Sequence, residues 1–192
     1  MIDPKNIIKY NRNSAELEEL AVFCVLVAGK TAHVVKTQLE GFRKQGAGLL
    51  SGRPSLFKII NAYTNFGFPL SEVLKSHGIG CQTQKARTLR ELAASGLDLK
   101  TCSIADLEQI PGIGRKTSRF FMMSSRHNVQ CAALDTHVLK WLRANGITDA
   151  PKATPSSHKQ YIRLEKEFLR RVPKGKTPAQ FDIEIWNSYA VQ

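Results

Sequence analysis

The first apolar positions of the chain recur with helical spacing. Leu17, Leu20, Ala21, Cys24, Val25 and Ala28 stand three and four residues apart, which gathers them on one face of a helix. Asn13 and Glu16 precede them in the order of a capping box. Gly29 interrupts the pattern, and a second helix is expected from Thr31 to Lys44. Residues 46–48 and 51–54 read as loops, and Pro54 is suited to open a helix running to Thr64. Helices follow at 70–77 and 84–95; the second turns Ala86, Leu89, Leu92 and Ala93 inward and Lys85, Arg87 and Arg90 outward. Ser103 with Asp106 caps a short helix that ends at Ile110, and another helix is expected over 114–125. After an apolar link at 131–134, Asp135 opens a helix to Asn145 that Gly146 closes. A loop at 148–156 leads to a helix at 157–171, and Thr177, Pro178 and Gln180 open the last one. No stretch alternates in the manner of a strand, so the expected class is all-α.

Composition narrows the partners. The chain has 192 residues, 42% of them apolar, which is enough for one domain or two small lobes around a cleft. Lys and Arg outnumber Asp and Glu 28 to 16, a net charge of +12. An excess of that size points to a polyanion, most often nucleic acid; a basic protein that is simply soluble is the plainer alternative. The longest apolar run, Leu20 to Ala28, is too short to span a membrane, and the N-terminal residues lack the form of a signal peptide. The expected location is therefore intracellular, in the cytoplasm or nucleoid. Cys24, Cys81, Cys102 and Cys131 are scattered, with no C-x-x-C pair, so free thiols are expected and no metal site.

The stretch IPGIGRKTSRFF, Ile110 to Phe121, raises the question of chemistry. Two short helices joined by P-G-I-G make a helix-hairpin-helix. Gly112 and Gly114 free the turn's backbone and leave no side chain over its amides. Unpaired N–H groups at the next helix's start, with the helix dipole, favour a phosphate, and Arg115 and Arg119 would add charge beside it. A contact of this kind reads backbone and not bases. A plain helix–helix connection would also use glycines for tightness.

Asp135, nineteen positions after Lys116 in the stretch LDTHVLKWL, is the second mark. The pair I-P-G-I-G-R-K-T and L-D-T-H-V resembles the helix-hairpin-helix DNA glycosylases, closely over Ile104 to Leu142 and more loosely over most of the chain. The resemblance implies a two-lobe all-α fold with the active site in the cleft between lobes. One lobe would take residues 1–30 and 136–192, the other 31–135 with the hairpin at 104–125. It also implies Lys116 and Asp135 as the catalytic pair. The residue types suit that reaction. A carboxylate stabilises positive charge developing on the sugar, and a neutral amine can attack the anomeric carbon to form a Schiff base. A helix N-terminus and partial desolvation both favour the neutral amine. β-Elimination would then cut the strand. Members without the lysine lack lyase activity, so Lys116 implies a bifunctional enzyme. Asp135 is also a good N-cap, and both roles are expected of it; His137 is read as a surface or packing residue.

The chain departs from the endonuclease III branch in having no cysteine after Cys131, hence no iron–sulfur cluster. The expectation is no cofactor, with a monovalent cation at the hairpin carbonyls as an option. The C-terminal FDIEIWNSYAVQ is more similar to the small archaeal-type 8-oxoguanine glycosylases. An enzyme of this class flips its base between side chains. Phe120, four residues after Lys116 and beside Met123, is a candidate wall or plain core. Gly29, Lys30 and His33 are candidates from the other lobe, and Asp182 with Trp186 from the last helix; Trp141 reads as core. The expected partner is double-stranded DNA carrying a damaged base, an oxidised purine such as 8-oxoguanine, bound by a monomer. Alternatives are an alkylated, mismatched or modified base, or a non-enzymatic DNA-binding module.

Overall fold

The computed structural model describes residues 2–190, and among them every regular element is helical. A 3-10 turn at Pro4–Asn6 precedes α1 (Ser14–Leu26), α2 (Ala32–Ala47), α3 (Leu56–Asn65), α4 (Leu70–Ser76), α5 (Gln82–Ala94) and α6 (Ile104–Glu108). Then come α7 (Arg115–Ser125), α8 (Thr136–Ala144), α9 (His158–Leu169) and α10 (Pro178–Ala190). No described helix is long and apolar enough to cross a membrane.

Contacts divide the chain into two compact units. The first holds the residues up to Ile7 and Asn11–Gly114; the second holds Ile8–Tyr10 and the chain from Arg115 onward. The boundaries drawn from the sequence differ from these, because α1 packs on α2, α3 and α5 of the first unit. The capping box of Asn13 and Glu16 forms as expected, with reciprocal bonds of 2.8 and 3.0 Å. α1 is buried continuously from Leu20 to Leu26, not along one face, because neighbours cover it on several sides.

Three sequence expectations change here. α2 runs on through Gly46, read earlier as loop, because α3 lies against it: a Cβ on Gly46 would meet Ile59 Cγ2 at 2.2 Å. Ser55, not Pro54, caps α3, its hydroxyl accepting from the Lys58 amide. Lys85 turns inward and donates from Nζ to the Leu26 carbonyl at 2.8 Å, satisfying a carbonyl at the end of α1.

The second unit has its own core. Leu134, Val138, Leu139 and Leu142 pack with Tyr161, Leu164 and Phe168 of α9 and Phe181 and Ile185 of α10. Trp141 sets its ring edge-on to Phe181 at 5.1 Å, the core role expected of it. The capping box of Thr177 and Gln180 opens α10. Residues 8–10 join this unit through the Lys9 amide on the Ser124 carbonyl and the Tyr10 hydroxyl on Thr177.

Candidate active site

The hairpin begins on a firm stop. Ser103 and Asp106 cap α6 reciprocally, and these bonds hold the Asp106 carboxyl below its ordinary range. At the end of the turn the Ile113 amide donates to the Ile110 carbonyl at 3.0 Å. Gly112 has φ +91°, and a Cβ there would lie 1.9 Å from Thr88 Oγ1, so conformation and packing each demand glycine. Gly114 is under neither demand. Its φ is not positive, and a Cβ on it would meet nothing within 4 Å. A side chain at position 114 would therefore stand in clear space.

Lys116 is half-buried on the first turn of α7. Asp135 caps α8, its Oδ1 accepting from the Val138 amide at 2.8 Å, and this fixes the carboxylate. Asp182 comes from α10. Its Oδ1 is sealed from solvent and has no hydrogen-bond partner, although the residue as a whole is only half-buried. Burial pushes its carboxyl well above the ordinary range; the Asp135 charge pushes the same way, and the Lys116 charge opposes both. The Asp182 carboxyl thus feels charges carried by two other elements, α7 and the start of α8.

The other predicted residues are placed unequally. Trp186 is half-buried with its ring edge-on to His137 at 6.3 Å, and His137 stacks on Tyr189 at 6.0 Å. Phe120 is half-buried, whereas Met123 is core. Arg119 corrects the sequence reading: it is 5% exposed and points inward, Nε donating to Glu165 Oε1 at 2.7 Å. It cannot serve a phosphate at the surface, because the α7 face that carries it is the packed one. Arg115 donates to His158 Nδ1 at 3.1 Å and to the Ser156 carbonyl at 2.9 Å. Gly29, Lys30 and His33 are exposed in the first unit.

Sequence reasoning missed Tyr161 and Glu165, which bond the segment leading to Asp135. A signal existed, for Glu165 falls on the apolar stripe of α9 between Leu164 and Phe168. Among the described residues no three His, Cys, Asp or Glu side chains group to hold a metal ion. All four cysteines are free, and burial pushes the Cys131 thiol up to about 12.

No protein-family model and no curated protein sequence matches the chain. Solved structures do. The 8-oxoguanine DNA glycosylase of Thermotoga maritima superposes with a TM-score of 0.67 at 24% identity, over 94% of this chain and 82% of that one. The Methanocaldococcus jannaschii 8-oxoguanine glycosylase/lyase, in complex with 15mer DNA containing 8-oxoguanine, gives 0.67 at 22% identity over 95% and 84%. The chain has the fold of these helix-hairpin-helix glycosylases. Within that fold Lys116 stands just after the hairpin and Asp135 at the next helix start.

Proposed function

We propose that the protein is a base-excision DNA glycosylase with AP-lyase activity, acting on an oxidised purine such as 8-oxoguanine in double-stranded DNA. The observation that supports this reading is Lys116 on the first turn of α7, directly after the hairpin, together with Asp135 held by its cap bond at the start of α8. The glycosylase fold adds to it, and the solved proteins sharing that fold act on 8-oxoguanine.

Lys116 is the nucleophile. Its amine gives up a proton and then bonds to the sugar C1′ as the glycosidic C–N bond breaks, and the departing base leaves with the bond pair and takes up a proton. Asp135, fixed by its cap bond, stabilises the positive charge on the sugar during that exchange. Ring opening gives a Schiff base between Lys116 and C1′. Loss of a C2′ proton then expels the 3′ phosphate and cuts the strand. Water later releases the lysine. Phe120, Asp182 and Trp186 face the flipped base, and the amides that open α7 receive a backbone phosphate. The chemistry calls for no metal; a monovalent cation at the hairpin carbonyls would serve phosphate binding only. The working form is a monomer.

Borohydride trapping tests the reading. Wild type with an 8-oxoguanine duplex yields a covalent adduct and a nicked strand, and Lys116→Gln yields neither. A wild type that binds damaged duplex but neither traps nor releases a base on any lesion is a DNA-binding module. Base release unaltered in Lys116→Gln removes the nucleophile assignment. A panel of alkylated, mismatched and oxidised bases identifies the substrate.

A further inference from the structure

Residues 131–134 link α7 to α8 outside any helix or strand, so most of their backbone groups need other partners. α9 and the loop before it provide them. Glu165 Oε1 accepts from the Ala132 amide at 2.9 Å and from Arg119 Nε at 2.7 Å. The Tyr161 hydroxyl donates to the Ala132 carbonyl at 2.9 Å and accepts from the Leu134 amide at 3.2 Å. Thr154 Oγ1 donates to the Leu134 carbonyl at 2.8 Å. The Arg119 guanidinium lies over the Tyr161 ring, 4.8 Å from its centre.

These bonds tie together the two elements that carry the proposed catalytic pair. Arg119 follows Lys116 by one turn of α7, and Asp135 is the next residue after Leu134. Both are therefore referred to the same two side chains of α9. Burial pushes the Tyr161 hydroxyl upward, so it keeps its proton and its donor role at working pH. A buried ion pair adds little net stability over well-packed apolar residues, so stability alone is a weak reason for this arrangement. Its directional bonds fix positions that apolar packing leaves loose.

We propose that Tyr161 and Glu165 are positioning residues that hold Lys116 and Asp135 at their reactive separation. The proposal rests on the glycosylase reading. It is tested by single-turnover excision, DNA affinity and melting temperature. The variants are Tyr161→Phe, Glu165→Gln and Thr154→Val, each made in wild type and in Asp135→Asn. Tyr161→Phe keeps the ring under Arg119 and loses both hydroxyl bonds; it should slow excision about 10- to 100-fold with affinity unchanged. Glu165→Gln keeps an oxygen for the Ala132 amide but takes the charge from beside the buried Arg119, so it should slow excision as well and lower the melting temperature. In Asp135→Asn the Tyr161→Phe loss should largely vanish, because the group being positioned is gone. Thr154→Val should show the same pattern more weakly, and it decides the matter if Tyr161→Phe does not fold. Equal losses in both backgrounds, or a lowered melting temperature with unaltered rate, overturn the proposal. A wild type that excises no damaged base overturns the glycosylase reading and this proposal with it; an active wild type beside an unaffected Tyr161→Phe overturns this proposal alone.

Discussion

A carboxyl oxygen sealed from water with no donor beside it costs free energy whenever the group ionises, and Asp182 Oδ1 is in that position. Its folded-state value lies above the ordinary one, so the stability linked to it is complete below the ordinary carboxylate range and is lost as pH rises through the raised value. Asp182→Asn removes the ionisation and keeps the shape. The variant should melt higher than wild type at about pH 8 and close to it at about pH 3. Equal melting shifts at both pH values would place the effect elsewhere. At this scale the sequence was readable where offset carries meaning: Lys116 after the hairpin, and Asp135 before an apolar helix. It was not readable where burial decides. Asp182 and Arg119 are both charged residues on helices, and only packing tells which one is paired and which is stranded.

At the scale of the element, the turn between α6 and α7 assigns different work to its two glycines. Gly112→Ala would put a side chain at φ +91° against Thr88 and should cost about 1–3 kcal/mol in denaturant unfolding. Gly114→Ala meets open space, so stability should hold while affinity for DNA falls, as the added methyl intrudes on the amides. Loss of stability in Gly114→Ala with affinity intact would make the turn a structural connection only. The caps of α1, α6, α8 and α10 were legible from residue order, because a cap is a local bond between positions three apart. The end of α2 was not. Gly46 reads as a breaker, and the contact with α3 that keeps it helical comes from residues thirteen and more positions away.

For the whole molecule, the charge of +12 is what remains after both signs are counted, and several basic groups already have acidic partners. Arg43 pairs with Glu19, Arg163 with Asp149, Arg170 and Arg171 with Glu167, and Lys176 with Glu184. The surplus should appear as salt-dependent DNA affinity, the logarithm falling by about 0.9 per phosphate contacted for each logarithmic unit of salt. Undamaged and damaged duplexes should give the same slope in fluorescence anisotropy, because phosphate contacts do not read bases. A steeper slope on the damaged duplex alone would contradict that division. The sequence by itself determined the helical class, most helix starts, the basic character and the offset of Lys116 from Asp135, since each depends on neighbouring residues or on a sum over the chain. Only the tertiary structure decided that α1 is buried with α3 and α5, that Arg119 faces Glu165, and that an oxygen of Asp182 is sealed from solvent. Those outcomes depend on which surfaces meet, and distant side chains share one dielectric environment only after the chain has folded.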